Sequence, residues 1–548
     1  MTMNLVPQPQ HVTITDDKPF TVDDTVVIVA DGDAADAGWL LHDALRHGTG
    51  HTLPVLPTTA ATRTIVLRLA GTRPADDTTA AEAYRLRVTG TDVTITAAHP
   101  AGLVRGVYTL RQLLPADTLR HAPVHVGPVT VPAVDIDDEP RFAWRGVMLD
   151  VARHFQPKEF VLRMIELAAL HRLNVVHLHL TDDQGWRLEV PGWPKLTQVG
   201  SWRTETVTGH ARDDKGYDGT PHGGHYSVDD LREIVAYAGA RHITVVPEID
   251  LPGHVRSVLA GYPELGNTGE HHPVATTFGI FPEVLAPTEE ALRFCRDVFD
   301  TVVSIFPSRY IHIGGDEVPR TEWRAGSTAA RRVEELGLAG PDLIQSWFTG
   351  QFAEHLAAAG RRIIGWDEIL DGGAPADAAV MVWRDFAIAE AAMAKGHRVV
   401  VAPVQALYLD YYESDRPDEP LRIFNTITLE TVAGFEPVPE GADASRLLGV
   451  QAQLWSEYLP KSSDVEYAAF PRLSAVADLA WSRPEVRRET PVTDRIVGHL
   501  DRLDALGVNY RPLDGPHPWQ RGGTGNRARF DLDRAARRET ADLPGTGD

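Results

Sequence analysis

Asp316 and Glu317 stand side by side at the end of a strand-like run, Tyr310-Ile311-His312-Ile313, from which Gly314 and Gly315 separate them. Adjacent carboxylates at such a place suit acid/base work. The apolar run anchors the turn in a core, and the two glycines let the backbone bend sharply and approach a ligand closely. An Asp-Glu pair alone is more often a solvated turn, so the neighbouring strand ends decide. Asp150 precedes Arg153 and His154; Asp182 and Asp183 precede Trp186; Asp250 precedes His254; Trp366 precedes Asp367 and Glu368; Trp383 precedes Arg384 and Asp385; Tyr408 precedes Asp410; and Trp455 precedes Glu457. Carboxylates, indoles and hydroxyls in one ring fit a sugar, whose CH faces stack on aromatic rings while its hydroxyls bridge to charged side chains.

Eight strand candidates carry these groups: Gly146–Asp150, Val175–Leu180, Ile243–Ile249, Tyr310–Ile313, Arg362–Trp366, Val380–Trp383, Arg398–Val401 and Leu448–Gln453. Amphipathic helix patterns such as Pro157–His171 and Val228–Arg241 separate several of them. Repeated strand, loop and helix predicts an α/β fold, a (β/α)₈ barrel, whose active site lies at the C-terminal strand ends. The stretch between the seventh and eighth strands looks irregular. Before the barrel, the β-branched runs 25–29, 64–69, 84–88 and 93–96 alternate with helical spacing over 34–46 and 101–114, predicting a small α+β domain. The expected division is a non-catalytic domain over 1–137, a catalytic barrel over 138–512 and a Gly-, Pro- and Arg-rich tail over 513–548. The tail is expected to be partly disordered, with helix at most around Leu532–Arg538.

With 548 residues and a net charge of −23, the chain fits a multidomain globular protein and argues against sequence-independent binding to nucleic acid or anionic membrane. A small neutral ligand is the expected partner; the oligomeric state is not readable. Cys295 is the only cysteine, so an intrachain disulfide is impossible, and its helical setting predicts a small buried hydrophobe. The N-terminus shows neither a basic nor an apolar signal region, and no window approaches the ~20 apolar residues of a membrane span. The expectation is a cytoplasmic protein, or a secreted one had a signal segment been removed.

Several groups have bland readings. Asp182, Asp183, Asp367 and Glu368 are each as consistent with helix N-capping as with catalysis. His177 and His179 share one face of the second strand, where a hydrogen-bonded structural role outweighs metal ligation. No zinc-type spacing, His-Glu-x-x-His motif or phosphate-binding glycine loop occurs, so no metal and no cofactor are expected.

His312-Ile-Gly-Gly-Asp-Glu317 resembles the signature of family 20 glycoside hydrolases, the β-N-acetylhexosaminidases, in which the acid/base Glu follows an Asp. The resemblance extends over residues 1 to about 510, including Leu5-Val-Pro-Gln-Pro-Gln10 and Gly102-Leu-Val-Arg-Gly-Val-Tyr108 of the first domain. It implies that Arg153 holds the outer sugar hydroxyls, that Asp182 lies near the acid/base, and that His254 stands behind it. It further implies that Trp347, Trp366 and Trp455 box the N-acetyl group, that Tyr408 bonds its carbonyl, and that Asp410 and Glu457 bind the remaining hydroxyls. Phe155-Gln156 departs from the more usual pair of aromatics after the histidine.

The mechanism so implied is retaining and substrate-assisted. The acetamido oxygen attacks the anomeric carbon, Glu317 protonates the leaving oxygen, and Asp316 holds the acetamido N–H beside an oxazolinium-like intermediate. Three alternatives stay open: a related specificity such as disaccharide release or strict N-acetylgalactosamine preference, a sugar-binding protein without turnover, and a barrel hydrolase pairing Glu317 with Glu368 or Glu457.

Overall fold

The computed structural model describes residues 3–521 apart from 76, 77, 326 and 440. Its centre is a closed barrel of eight parallel strands: β1 (Trp144–Asp150), β2 (Val175–His179), β3 (Thr244–Glu248), β4 (Tyr310–His312), β5 (Arg362–Trp366), β6 (Ala379–Val382), β7 (Arg398–Val401) and β8 (Leu447–Ala452). β8 closes on β1 through the register Trp144↔Gly449 to Val147↔Ala452. Val- and Ile-rich runs suit these strands because helices cover one side and side chains fill the other, and all seven residues of β1 are buried. The expected strands fall within a few residues of those found.

The outer helices include α1 (Lys158–Leu170), α2 (Val228–Gly239), α3 (Glu289–Ile305), α4 (Ile344–Ala358) and α5 (Phe386–Ala394). Their starts are chemically marked. Ser227 and Asp230 form a reciprocal capping box on α2, and the Thr288 side chain accepts from Ala291 N on α3. Cys295 is buried in α3, as its apolar neighbours predict. Between β7 and β8 the described residues form a short helix, Leu429–Gly434, and a 3-10 turn at Ala444–Arg446; the strand register shifts between Val399 and Val400. That is the stretch whose pattern looked irregular.

The preceding domain is a mixed seven-stranded sheet with strand order 11–14, 134–138, 84–88, 92–97, 64–69, 27–29 and 55–56, packed by helices Ala35–Thr49 and Pro100–Leu113. It joins the barrel through buried ions. Glu82 pairs with Arg105 and with Arg145 of β1, and it accepts from Asn174 Nδ2 at 2.8 Å, just before β2. Burial alone would raise the Glu82 carboxyl, but the two guanidinium groups outweigh it and hold it down to about 2. Asp138 forms a second junction, 2.6 Å from Arg172 Nη1 and accepting from Trp481 Nε1 at 3.0 Å.

At the start of the expected tail, Gln520 Nε2 donates to Asn509 Oδ1 and Tyr510 O, both at 2.9 Å, tying the chain back to the barrel. Glycine and proline content gave no sign of that pair of amide bonds. The expected helix at Leu532–Arg538 lies outside the described residues. Among the described residues, no helix is long and apolar enough to cross a membrane.

Candidate active site

Beyond β4 the chain turns through Ile313–Glu317 over the C-terminal mouth of the barrel. Gly314 has φ +65°, and a Cβ there would lie 1.8 Å from Asp250 Oδ1, so only glycine fits. Asp250 Oδ1 accepts from Gly315 N at 2.9 Å, while Gln345 Nε2 of α4 donates to Gly315 O at 2.7 Å. These two bonds hold the turn from both sides. Glu317 itself sits at φ +51°. That left-handed conformation costs a non-glycine residue roughly 1–3 kcal/mol and persists where surrounding contacts impose it.

The two carboxylates differ in setting. Asp316 is buried, its Oδ1 has no hydrogen-bond partner, and burial, reinforced by Glu317 and Glu248 against His254, raises its carboxyl above the usual range. The Glu317 side chain is about a third open to solvent, at 35%. His254 faces both, its Nε2 3.9 Å from Asp316 Oδ2 and 3.7 Å from Glu317 Oε2. Its Nδ1 lies 2.9 Å from Asp183 Oδ2 and 3.3 Å from Asp182 Oδ1. Burial pulls the imidazole down, but Asp182, Asp183 and Glu317 outweigh it and hold His254 well above the ordinary histidine range, as a cation.

Asp182 caps no helix. It lies in a small hairpin, Thr181–Asp182 against Gly185–Trp186, and its Oδ2 is 2.8 Å from both Arg153 Nη2 and His179 Nε2. Burial opposes its charge, yet Arg153, His254 and His179 hold its carboxyl well below the usual range. Arg153 is fixed from three sides: Asp182, Asp150 Oδ2 at 3.3 Å, and the Trp455 ring 4.7 Å beneath its guanidinium. Asp367, by contrast, opens a 3-10 helix and accepts from Trp383 N and Arg384 Nε.

Trp366 and Trp455 pack with ring centroids 5.6 Å apart, and Tyr408 follows 6.4 Å beyond Trp455. Burial, with Tyr411 adding, keeps the Tyr408 hydroxyl protonated. Trp383 stacks on the other side of Tyr408 at 6.2 Å and donates to Glu368 Oε2 at 3.0 Å. Asp410 is buried with both oxygens unpartnered, and burial together with Glu457 raises it well above the carboxylate range. Burial pushes Glu457 up to about 7 against the pull of Arg153. Orphaned polar atoms on Asp410, Asp316, His254 and Arg153 are the kind that a hydroxylated ligand satisfies.

Trp347 is half-buried on α4, where it packs against Phe348 at 4.9 Å and under Arg332 at 5.5 Å. A cavity of about 560 Å³ lies to one side of the carboxylate turn, and neither Asp316 nor Glu317 lines it. It shares Glu457 and His154 with the strand-end ring and continues between Arg422, Tyr458 and Trp519. At the turn itself, a left-handed backbone at Glu317, the raised carboxyl of Asp316 and orphaned polar atoms on Asp316 and His254 coincide.

Sequence reasoning counted Glu248 only as part of a strand and gave it no role of its own. The available signal was an ionisable residue inside the apolar β3 run Thr244–Glu248. Spacing also could not reveal that His177, Glu248 and His312 lie close enough to hold a metal ion, as do Asp182, Asp183 and His254, because different strands supply them. In both groups the same atoms already pair with one another.

The family model described as Glycosyl hydrolase family 20, catalytic domain, matches residues 142–484, and that described as Glycosyl hydrolase family 20, domain 2, matches residues 2–139. A Porphyromonas gingivalis beta-hexosaminidase is 38% identical over 537 residues, which is 96% of this chain and 66% of that protein, just under two thirds of its length. A Cellulomonas fimi beta-N-acetylhexosaminidase is 34% identical over 92% of this chain and 95% of its own. The solved Streptomyces plicatus N-acetyl-beta-hexosaminidase, in complex with Thio-NAglucal, superposes with a TM-score of 0.81 at 32% identity, covering 94% of this chain and 97% of that one. Both domains match, relatives of this similarity span nearly the whole chain, and the fold is shared, so the chain is a glycoside hydrolase and belongs to glycosyl hydrolase family 20.

Proposed function

We propose that the chain is an exo-acting, retaining β-N-acetylhexosaminidase that removes terminal β-linked N-acetylglucosamine or N-acetylgalactosamine from short oligosaccharides, with the substrate's acetamide as nucleophile. The observation that carries this reading is that Asp316 and Glu317 lie on one turn, 3.9 and 3.7 Å from the same imidazole nitrogen. Carboxylates so placed cannot flank an anomeric carbon from opposite faces, as a conventional retaining pair ~5 Å apart does. They can serve neighbouring groups of one sugar, the leaving oxygen on C1 and the acetamido N–H on C2, while the acetamido oxygen attacks C1 from the face opposite the leaving group. Glu317, the more open, gives and later recovers the proton; Asp316, buried and facing cationic His254, holds the acetamido N–H and balances the developing positive charge. Tyr408 donates to the acetamide carbonyl against the wall of Trp366 and Trp455. Arg153, Asp410 and Glu457 take the outer hydroxyls, and Trp347 is assigned to the N-acetyl box by the family pattern.

The conventional pairing with Glu368 is disfavoured. Burial and Asp367 raise that carboxyl well above the ionised range, and Trp383 Nε1 already occupies it. A neutral acid is no nucleophile.

We assign turnover to 138–512 and a non-catalytic role to 1–137, with metal-free activity inside the cell on substrates such as chitobiose, a setting suited to chitin breakdown. The test is a panel of aryl glycosides. β-N-acetylglucosaminides should be cleaved, β-glucosides and β-galactosides left intact, and the rates unchanged in a chelator. Comparable turnover of a plain β-glucoside would sink the substrate-assisted reading, and loss of activity in chelator would sink the metal-free one.

A further inference from the structure

Four nitrogens converge on the Glu248 carboxylate at the end of β3. Trp366 Nε1 of β5 donates to Oε1 at 2.8 Å, and His312 Nδ1 of β4 lies 3.1 Å from the same oxygen. His179 Nδ1 and His177 Nε2, both on β2, lie 2.7 and 3.0 Å from Oε2. The strand register aligns these residues, pairing Glu248 with His179 on one side and His312 on the other. All are buried. Burial would raise Glu248, but the three imidazoles outweigh it and hold the carboxyl well below the usual range, so it is an anion inside the barrel. Burial drives His177 down to about 4, whereas Glu248 and Asp182 hold His179 well above its ordinary value against the same burial.

Two lines of contact leave this carboxylate. One runs to the Trp366 indole and on to Trp455. The other runs through His179 to Asp182, at 2.8 Å, and from there to Arg153 and to His254, which faces Glu317. Charge alternates along the second line: Glu248 negative, His179 positive, Asp182 negative, Arg153 and His254 positive. Each ion is buried beside its opposite, and losing one strands its neighbours in low dielectric.

We propose that Glu248 is a positioning residue that couples the indole wall to the carboxylate turn, fixing Trp366 directly and orienting Asp182, Arg153 and His254 through His179. The proposal rests on the hydrolase reading above. Glutamine at 248 has one oxygen where two are needed and turns an N–H toward donors, so both lines slacken together.

The test uses the full chain. Wild-type cleavage of p-nitrophenyl β-N-acetylglucosaminide is measured first and checks the hydrolase reading by itself. Glu248→Gln, Trp366→Phe and His179→Gln are then compared by the inhibition constant of N-acetylglucosamine thiazoline and by kcat/KM across aryl leaving groups of graded acidity. Trp366→Phe should weaken thiazoline binding about tenfold, the scale of one lost hydrogen bond to a charged group, with the leaving-group slope unchanged. His179→Gln should steepen the slope with thiazoline binding kept. Glu248→Gln should do both, and Trp366→Phe added to it should change inhibition less than twofold. A folded Glu248→Gln with neither change, or with an equal loss on every leaving group and inhibition additive with Trp366→Phe, overturns the proposal. Should Glu248→Gln fail to fold, the two single-line variants decide: the split supports the coupling, and its absence overturns it.

Discussion

Replacing Glu317 with alanine should reduce chitobiose cleavage about 10⁴-fold, the upper range of general acid catalysis, while a dinitrophenyl β-N-acetylglucosaminide keeps measurable release. A sugar aglycone leaves as a strongly basic alkoxide and needs the proton; dinitrophenolate does not. The second half of the reaction loses its base in the same variant. Added azide should therefore accelerate turnover of the activated substrate, since an external anion attacks without deprotonation. Asp410→Ala and Glu457→Ala serve as contrasts, because groups that hold the outer hydroxyls are used alike whatever the aglycone. Equal losses on both aglycones for Glu317→Ala, or the selective pattern at another carboxylate, would remove Glu317 from its role.

Asp316→Asn should lower kcat by about 10² to 10³, the cost of one electrostatic stabiliser, with thermal stability unchanged or raised. The stability half follows from the site. Asp316 is buried near Glu317 and Glu248, and its carboxyl is raised by both and by burial. In the free protein its charge is therefore unfavourable, and a positive oxazolinium-like centre relieves it only as the reaction proceeds. An interaction that strengthens toward the transition state accelerates the chemical step rather than binding. An Asn variant with near wild-type kcat would mean that another group holds the acetamide.

What could be read from the sequence was what lies close together in it. The eight apolar runs and their polar ends gave the barrel, because each strand carries its own periodicity and each end its own side chains. Asp316 and Glu317 were visible because they adjoin two glycines that the turn requires at positive φ. The carboxylate at Glu248 was not, since its partners His179, His312 and Trp366 come from three other strands and only barrel closure brings them together. Asp182 shows the limit in another way. Capping and catalysis leave the same trace in one dimension, and only the hairpin to Gly185–Trp186 and the Arg153 pair separate them. The docking of Gln520 on Asn509 and Tyr510 was hidden behind a composition that read as tail.

The buried ions at Glu82 and Asp138 bear on how this protein is divisible. Glu82 belongs to the first domain, yet it neutralises Arg145 of the barrel's opening strand, and Asp138 neutralises Arg172 beside Trp481 near the barrel's last helices. Removing one partner of a buried ion pair costs about 3–5 kcal/mol, a large share of the margin by which any domain stays folded. The barrel is therefore not a portable cassette. Excising it at residue 142, where the match to the family's catalytic domain begins, would strip Arg145 of Glu82 and Arg172 of Asp138, so the segment without chemistry travels with the segment that has it as one inheritable unit.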